Sequence, residues 1–149
     1  MPDIFLDDLA PGQTYDLGRR RVSREEILAF AKEYDPQPFH VDEAAAQASI
    51  YGGLIASGWH TAAIYMRLLV DGFLGRAAAM GSPGVDELRW LKPVRPDDVL
   101  AGRLEILEVR PSQSRPDRGL ARCGAEVLNQ DGEPVLRFTA MILFRRRDP

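Results

Sequence analysis

Thiol and imidazole are scarce in this chain: one cysteine, Cys123, and two histidines, His40 and His60, stand among 149 residues. A lone cysteine excludes an internal disulfide and a cysteine-built structural zinc site. His40 and His60 lack recognisable ligand spacing, so no metal site is expected. A basic excess is missing as well. The formal net charge of −3 argues against a nucleic-acid or membrane-surface partner, since both usually demand positive charge. The only basic runs, Arg19 to Arg21 and Arg145 to Arg147, fit solvated strand edges and a charged tail. No apolar run approaches the length needed to span a bilayer. The opening, Met1-Pro2-Asp3-Ile4-Phe5-Leu6-Asp7-Asp8, has neither the basic start nor the apolar core of a signal peptide. A cytoplasmic chain without export or anchoring is the expectation.

What is present is enough for a core. At 45% hydrophobic and 28% charged, a chain of this length fits one globular domain over residues 1–149 that buries roughly two-thirds of its unfolded surface. Gln13 to Val22 alternates around Tyr15, Leu17 and Val22 as an edge strand. Ser23 starts a helix, with Glu26 three residues on as in a capping box and Ile27, Leu28, Ala31 and Tyr34 on one face. That helix stops before Pro36. Asp42 caps a second short helix over Glu43 to Ala48, ended by Gly52-Gly53. From Ser57 to Phe73 apolar side chains occupy most of the circumference, which predicts a helix buried on nearly every side and roughly 25 Å long. Trp59, Met66 and Leu69 read as core more than as pocket wall.

Short strands make up the second half. Val85 to Leu91 is one, followed by the kink and turn Lys92-Pro93-Val94-Arg95-Pro96-Asp97-Asp98. Val99 to Val109 sets Leu104 and Ile106 against Arg103 and Glu105 with a period of two. Leu120 to Asn129 turns inward Ala121, Cys123, Ala125 and Val127, and Asp131-Gly132 is a hairpin turn into Pro134 to Phe144. This last strand is apolar on both faces, which calls for a second covering layer. One long helix cannot supply it all, so a second subunit is expected, making a homodimer or higher homo-oligomer. Helices followed by a strand meander imply α+β.

Chemistry concentrates between residues 35 and 60. Asp35 and His40 stand five residues apart on a segment whose prolines, Pro36 and Pro38, are expected to keep it out of helix. Gly52 to Gly58 then opens into the long helix, whose first N–H groups are unpaired and carry partial positive charge. An acid and an imidazole beside such a helix start suggest acyl chemistry.

These residues resemble a known family. Asp35-Pro36-Gln37-Pro38-Phe39-His40 is similar to the Asp-x-x-Pro-x-His pattern of MaoC-like dehydratases and (R)-specific enoyl-CoA hydratases. Gly53-Leu54-Ile55-Ala56-Ser57-Gly58 resembles the glycine turn that starts their central helix, and Val85 to Asp98 resembles their strand and Pro-Val turn. The resemblance implies the hotdog fold, a long helix wrapped by a curved antiparallel sheet. It implies hydration of 2-enoyl thioesters, or the reverse dehydration, with coenzyme A or an acyl carrier as part of the substrate. Asp35 and His40 would hold and polarise one water, and the Gly58 N–H would receive the thioester oxygen. Many members carry histidine where this chain has Ser57, so contacts to the acyl group could differ there. Lys92, Arg95 and Arg89 fit coenzyme A phosphates and solvated strand charges equally well. His60 reads as a hydrogen-bonded core histidine and Asp42 as a helix cap. A hotdog thioesterase and a non-catalytic acyl-thioester-binding or assembly protein remain as alternatives.

Overall fold

The computed structural model describes residues 1–148. Five antiparallel strands form one sheet: β1 (Thr14–Arg21), β2 (Gly84–Trp90), β3 (Val99–Pro111), β4 (Arg118–Leu128) and β5 (Pro134–Arg145), in the order β1-β3-β4-β5-β2. Helices α1 (Arg24–Tyr34), α2 (Pro38–Val41), α3 (Glu43–Ala48) and α4 (Gly58–Gly72) all fall between β1 and β2 in sequence. The α+β architecture expected from helices followed by a meander is the one observed.

Strand alternation sets the core. In β3 and β4 the residues read as inward, Leu104, Ile106, Ala121, Cys123, Ala125 and Val127, are all buried. They meet Ile64, Tyr65, Leu68 and Leu69 of α4 and Phe73, which caps its end. At the far end of α4, a side chain on Gly72 would come within 2.8 Å of the Leu17 backbone, so glycine is what lets the helix and β1 approach so closely. Burial pushes the Cys123 thiol up to about 12, which leaves it protonated and inert as a core residue. In the hairpin after β4, Gly132 has φ +75°, and the Asn129 side chain accepts from the N–H groups of Asp131 and Glu133 at 3.0 and 3.1 Å.

Three local expectations are corrected. Pro38 does not keep its segment out of helix; it occupies the first position of α2, where its missing N–H would have had no partner anyway. Ser23 accepts from the Glu26 N–H at 3.1 Å, but the Glu26 carboxylate turns to Arg20, 3.7 Å away, so the second half of the capping box is not made. Finally, α4 is not buried all round. Trp59, Met66 and Val70 are 60%, 50% and 42% exposed, and with exposed Ala63 they form one apolar stripe at helical spacing. The basic runs are surface features as expected, although Arg146 and Arg147 pair with Asp7 and Asp8 and tie the two ends of the chain together.

Candidate active site

The acid arrives from the end of α1. Asp35 is the C-cap residue, its N–H bonded to the Ala31 carbonyl at 2.8 Å, and Pro36 prevents further helix. The short α2 then brings His40 round to face it, so that His40 Nε2 lies 3.3 Å from Asp35 Oδ2. The other ring nitrogen, Nδ1, is 2.8 Å from the Ile55 carbonyl oxygen. A carbonyl can only accept, so Nδ1 carries the proton and Nε2 is the nitrogen left to exchange one. His40 is 5% exposed. Burial acts to raise the Asp35 pKa, but hydrogen bonds from Gln37 and Ser57 and the neighbouring His40 together outweigh it. The carboxyl is held below its ordinary value and is ionised at neutral pH.

Residues 54 to 56 carry the chain from this pair to α4. Ile55 N–H bonds the Phe39 carbonyl and Ala56 N–H the Val94 carbonyl, at 3.3 and 2.8 Å, which clamps the segment between α2 and the kink after β2. Ser57 is the N-cap of α4. Its hydroxyl accepts from the Trp59 N–H at 3.3 Å and helps to hold the Asp35 carboxyl down, and the residue is fully buried. Ser57, expected to touch substrate, is not among the residues that line the cleft. Gly58 does line it. Among the described residues its N–H has no hydrogen-bond partner, while its carbonyl accepts the Trp90 indole N–H at 2.8 Å. A Cβ on Gly58 would sit 2.4 Å from the Trp90 ring.

Asp35, His40 and Gly58 thus share the wall of one cavity of about 400 Å³, within the range of small-ligand sites. Trp59, Trp90 and Val94 complete its apolar side. Trp59 is therefore pocket wall and not core, and Trp90 is a site residue the strand pattern did not single out. Lys92 also lines the cleft and is paired with Glu133. Arg95 donates to the Tyr51 carbonyl at 2.6 Å, and Arg89, in register with Arg137 on the exposed face of the sheet, lies away from the cleft. Asp42 caps α3 through the N–H groups of Ala44 and Ala45, as expected. His60 is buried as expected but not hydrogen-bonded as expected. Its Nδ1 has no partner, and the ring stacks on Phe30 with centroids 4.7 Å apart. Burial holds its imidazole below the ordinary histidine value.

A long helix packed against a five-stranded antiparallel sheet defines the hotdog fold, shared with MaoC-like dehydratases. More particularly, the chain belongs to the MaoC-like domain family, whose model matches residues 8–124. It is 34% identical over 142 residues to the uncharacterised protein YdeM of Bacillus subtilis, covering 95% of this chain and 99% of that one. It is 25% identical over 135 residues to a 3-hydroxybutyryl-CoA dehydratase of Methylorubrum extorquens, covering 90% of this chain and 83% of the other. The crystal structure of a MaoC-like dehydratase from Rhodospirillum rubrum superposes with a TM-score of 0.91 at 50% identity, over 98% of this chain and 99% of that one. Among the described residues no helix is long and apolar enough to cross a membrane.

Proposed function

We propose that the chain is a hydro-lyase that adds water to 2-enoyl thioesters, giving 3-hydroxyacyl thioesters, or runs the reverse dehydration. The observation that carries this reading is the convergence of Asp35 Oδ2 and His40 Nε2, 3.3 Å apart, in the same cleft as the unpartnered Gly58 N–H. A water held by both acceptors attacks Cβ of the enoyl group, and negative charge grows on the thioester oxygen as the enolate forms. The Gly58 N–H, at the positive end of α4, meets that charge without reorganising.

The division of labour follows from the environment of each group. Asp35 is held ionised and is a weak base, whereas an imidazole is intrinsically the stronger proton acceptor. We assign proton uptake to His40 Nε2 and orientation of the water to Asp35. The imidazolium formed is neutralised by the adjacent carboxylate and can return the proton to Cα. The 3-hydroxybutyryl-CoA dehydratase among the relatives supports a coenzyme A thioester as the substrate. The working form we propose is a homodimer or higher homo-oligomer, because the Trp59, Ala63, Met66 and Val70 stripe and the outer edge of β2 are both unpartnered. Purified protein and a 2-enoyl-CoA separate the possible activities. Loss of the conjugated enoyl absorbance without thiol release supports hydration, and thiol release or no change in either signal contradicts it.

A further inference from the structure

We infer that Trp90 sets the acyl-chain length this site accepts, restricting it to short chains; the inference rests on the acyl-thioester reading of the cleft given above. Strand β2 reaches its last residue through a bulge. Val85 pairs with Ala140 and Asp86 with Thr139, but Arg89 then pairs with Arg137 and Trp90 with Leu136. Glu87 and Leu88 therefore both lie opposite Phe138. Ala140 and Leu136 are buried on the helix side of the sheet. Simple alternation from Val85 would send Glu87 and Arg89 to that side and Trp90 to the other. The extra residue reverses the parity and puts Trp90 on the helix side over the start of α4, where the residue stays 45% exposed. Glu87 takes φ +52° to do so, a conformation that a non-glycine residue keeps only where its surroundings impose it.

On that side the indole is pinned. Its N–H bonds the Gly58 carbonyl at 2.8 Å, its ring occupies the space a side chain on Gly58 would need, and it meets Trp59 edge to face with centroids 5.0 Å apart. Along the helix the cleft is lined by Gly58, Trp59 and Thr61, a reach of about 4.5 Å at the helical rise. One turn further, Ile64 and Tyr65 are buried, and Tyr65 packs edge-on against Phe138 at 5.3 Å. An acyl group whose carbonyl points at Gly58 therefore has room for only a few carbons before it meets the indole pair.

Equilibrium binding of two saturated thioesters, butanoyl-CoA and decanoyl-CoA, tests this without requiring turnover. An open tunnel would favour the longer chain through its larger apolar burial. The expected result is the opposite: wild type binds butanoyl-CoA at least tenfold tighter than decanoyl-CoA. Trp90→Ala should shift that ratio by about tenfold or more toward decanoyl-CoA. Trp90→Phe, which keeps a ring but loses the hydrogen bond to Gly58, should retain the wild-type preference. Trp90→Leu serves if circular dichroism shows the alanine variant unfolded. Equal or tighter decanoyl-CoA binding by wild type overturns the inference, as does an unchanged ratio in Trp90→Ala. If the protein hydrates no enoyl-CoA yet shows the predicted ratios, the hydratase reading falls and the role of Trp90 stands. If neither thioester binds, both fall.

Discussion

The tautomer of His40 is decided by a backbone oxygen. Because the Ile55 carbonyl can only accept, Nδ1 holds the proton and Nε2 is left to exchange one, facing a carboxylate 3.3 Å away. Removing either group should cost a general acid–base contribution of roughly 10²–10⁴ in kcat/KM. Asp35→Asn and His40→Ala, measured on an enoyl-CoA with folding checked by circular dichroism, should both fall in that range. The pH profile distinguishes the partners. Asp35 is held ionised, so if His40 is the base, an acid limb in kcat/KM should persist when Asp35→Asn removes the carboxylate. A limb that vanishes in Asp35→Asn would instead make Asp35 the titrating base. His60 takes no part in this; its ring lies in a buried stack with Phe30.

At the level of the element, the decisive piece is the first turn of α4. Ser57 caps the helix and is one of the groups that hold the Asp35 carboxyl down, which ties the donor end of the site to the acid. Ser57→Ala should lower stability by about 0.5–2 kcal/mol, the usual cost of a lost cap, measurable by urea denaturation. It should also reduce kcat more than it raises KM, because the hydroxyl is not in the cleft. How far such details were legible varies with their physical origin. The alternation of β3 and β4 and the caps at Ser23 and Asp42 depend on neighbours a few residues away, and they could be read directly. Pro38 was misjudged because proline excludes helix interiors but favours the first helical position, and nothing in the local pattern separates the two cases. Trp90 was missed because a bulge at Glu87, a residue without turn propensity, reverses the facing of everything after it.

Across the whole molecule, the sheet wraps one side of α4 and leaves the other open. The apolar composition of that helix suggested burial all round, but a single chain covers only the half that faces β1 and β3; the stripe through Trp59, Met66 and Val70 stays exposed. A second copy seated on this stripe would account for the composition. Sedimentation should therefore give a dimer or larger oligomer, and Met66→Glu, which places a charge at the centre of the stripe, should shift it toward monomer. A wild-type protein that sediments as a monomer at micromolar concentration would contradict that assembly. The cleft lies beside the same surface, since Trp59 belongs to both, so the Met66→Glu variant should lose activity in step with its loss of assembly.

A double-mutant cycle on kcat/KM for hydration of an enoyl-CoA tests the central claim most directly. If Asp35 and His40 act on one and the same water, the Asp35→Asn/His40→Ala double variant should be no slower than the slower single variant, since either substitution already disables the unit. Losses that multiply would show two groups working independently, and wild-type rates in the single variants would show that the pair is not the catalytic centre.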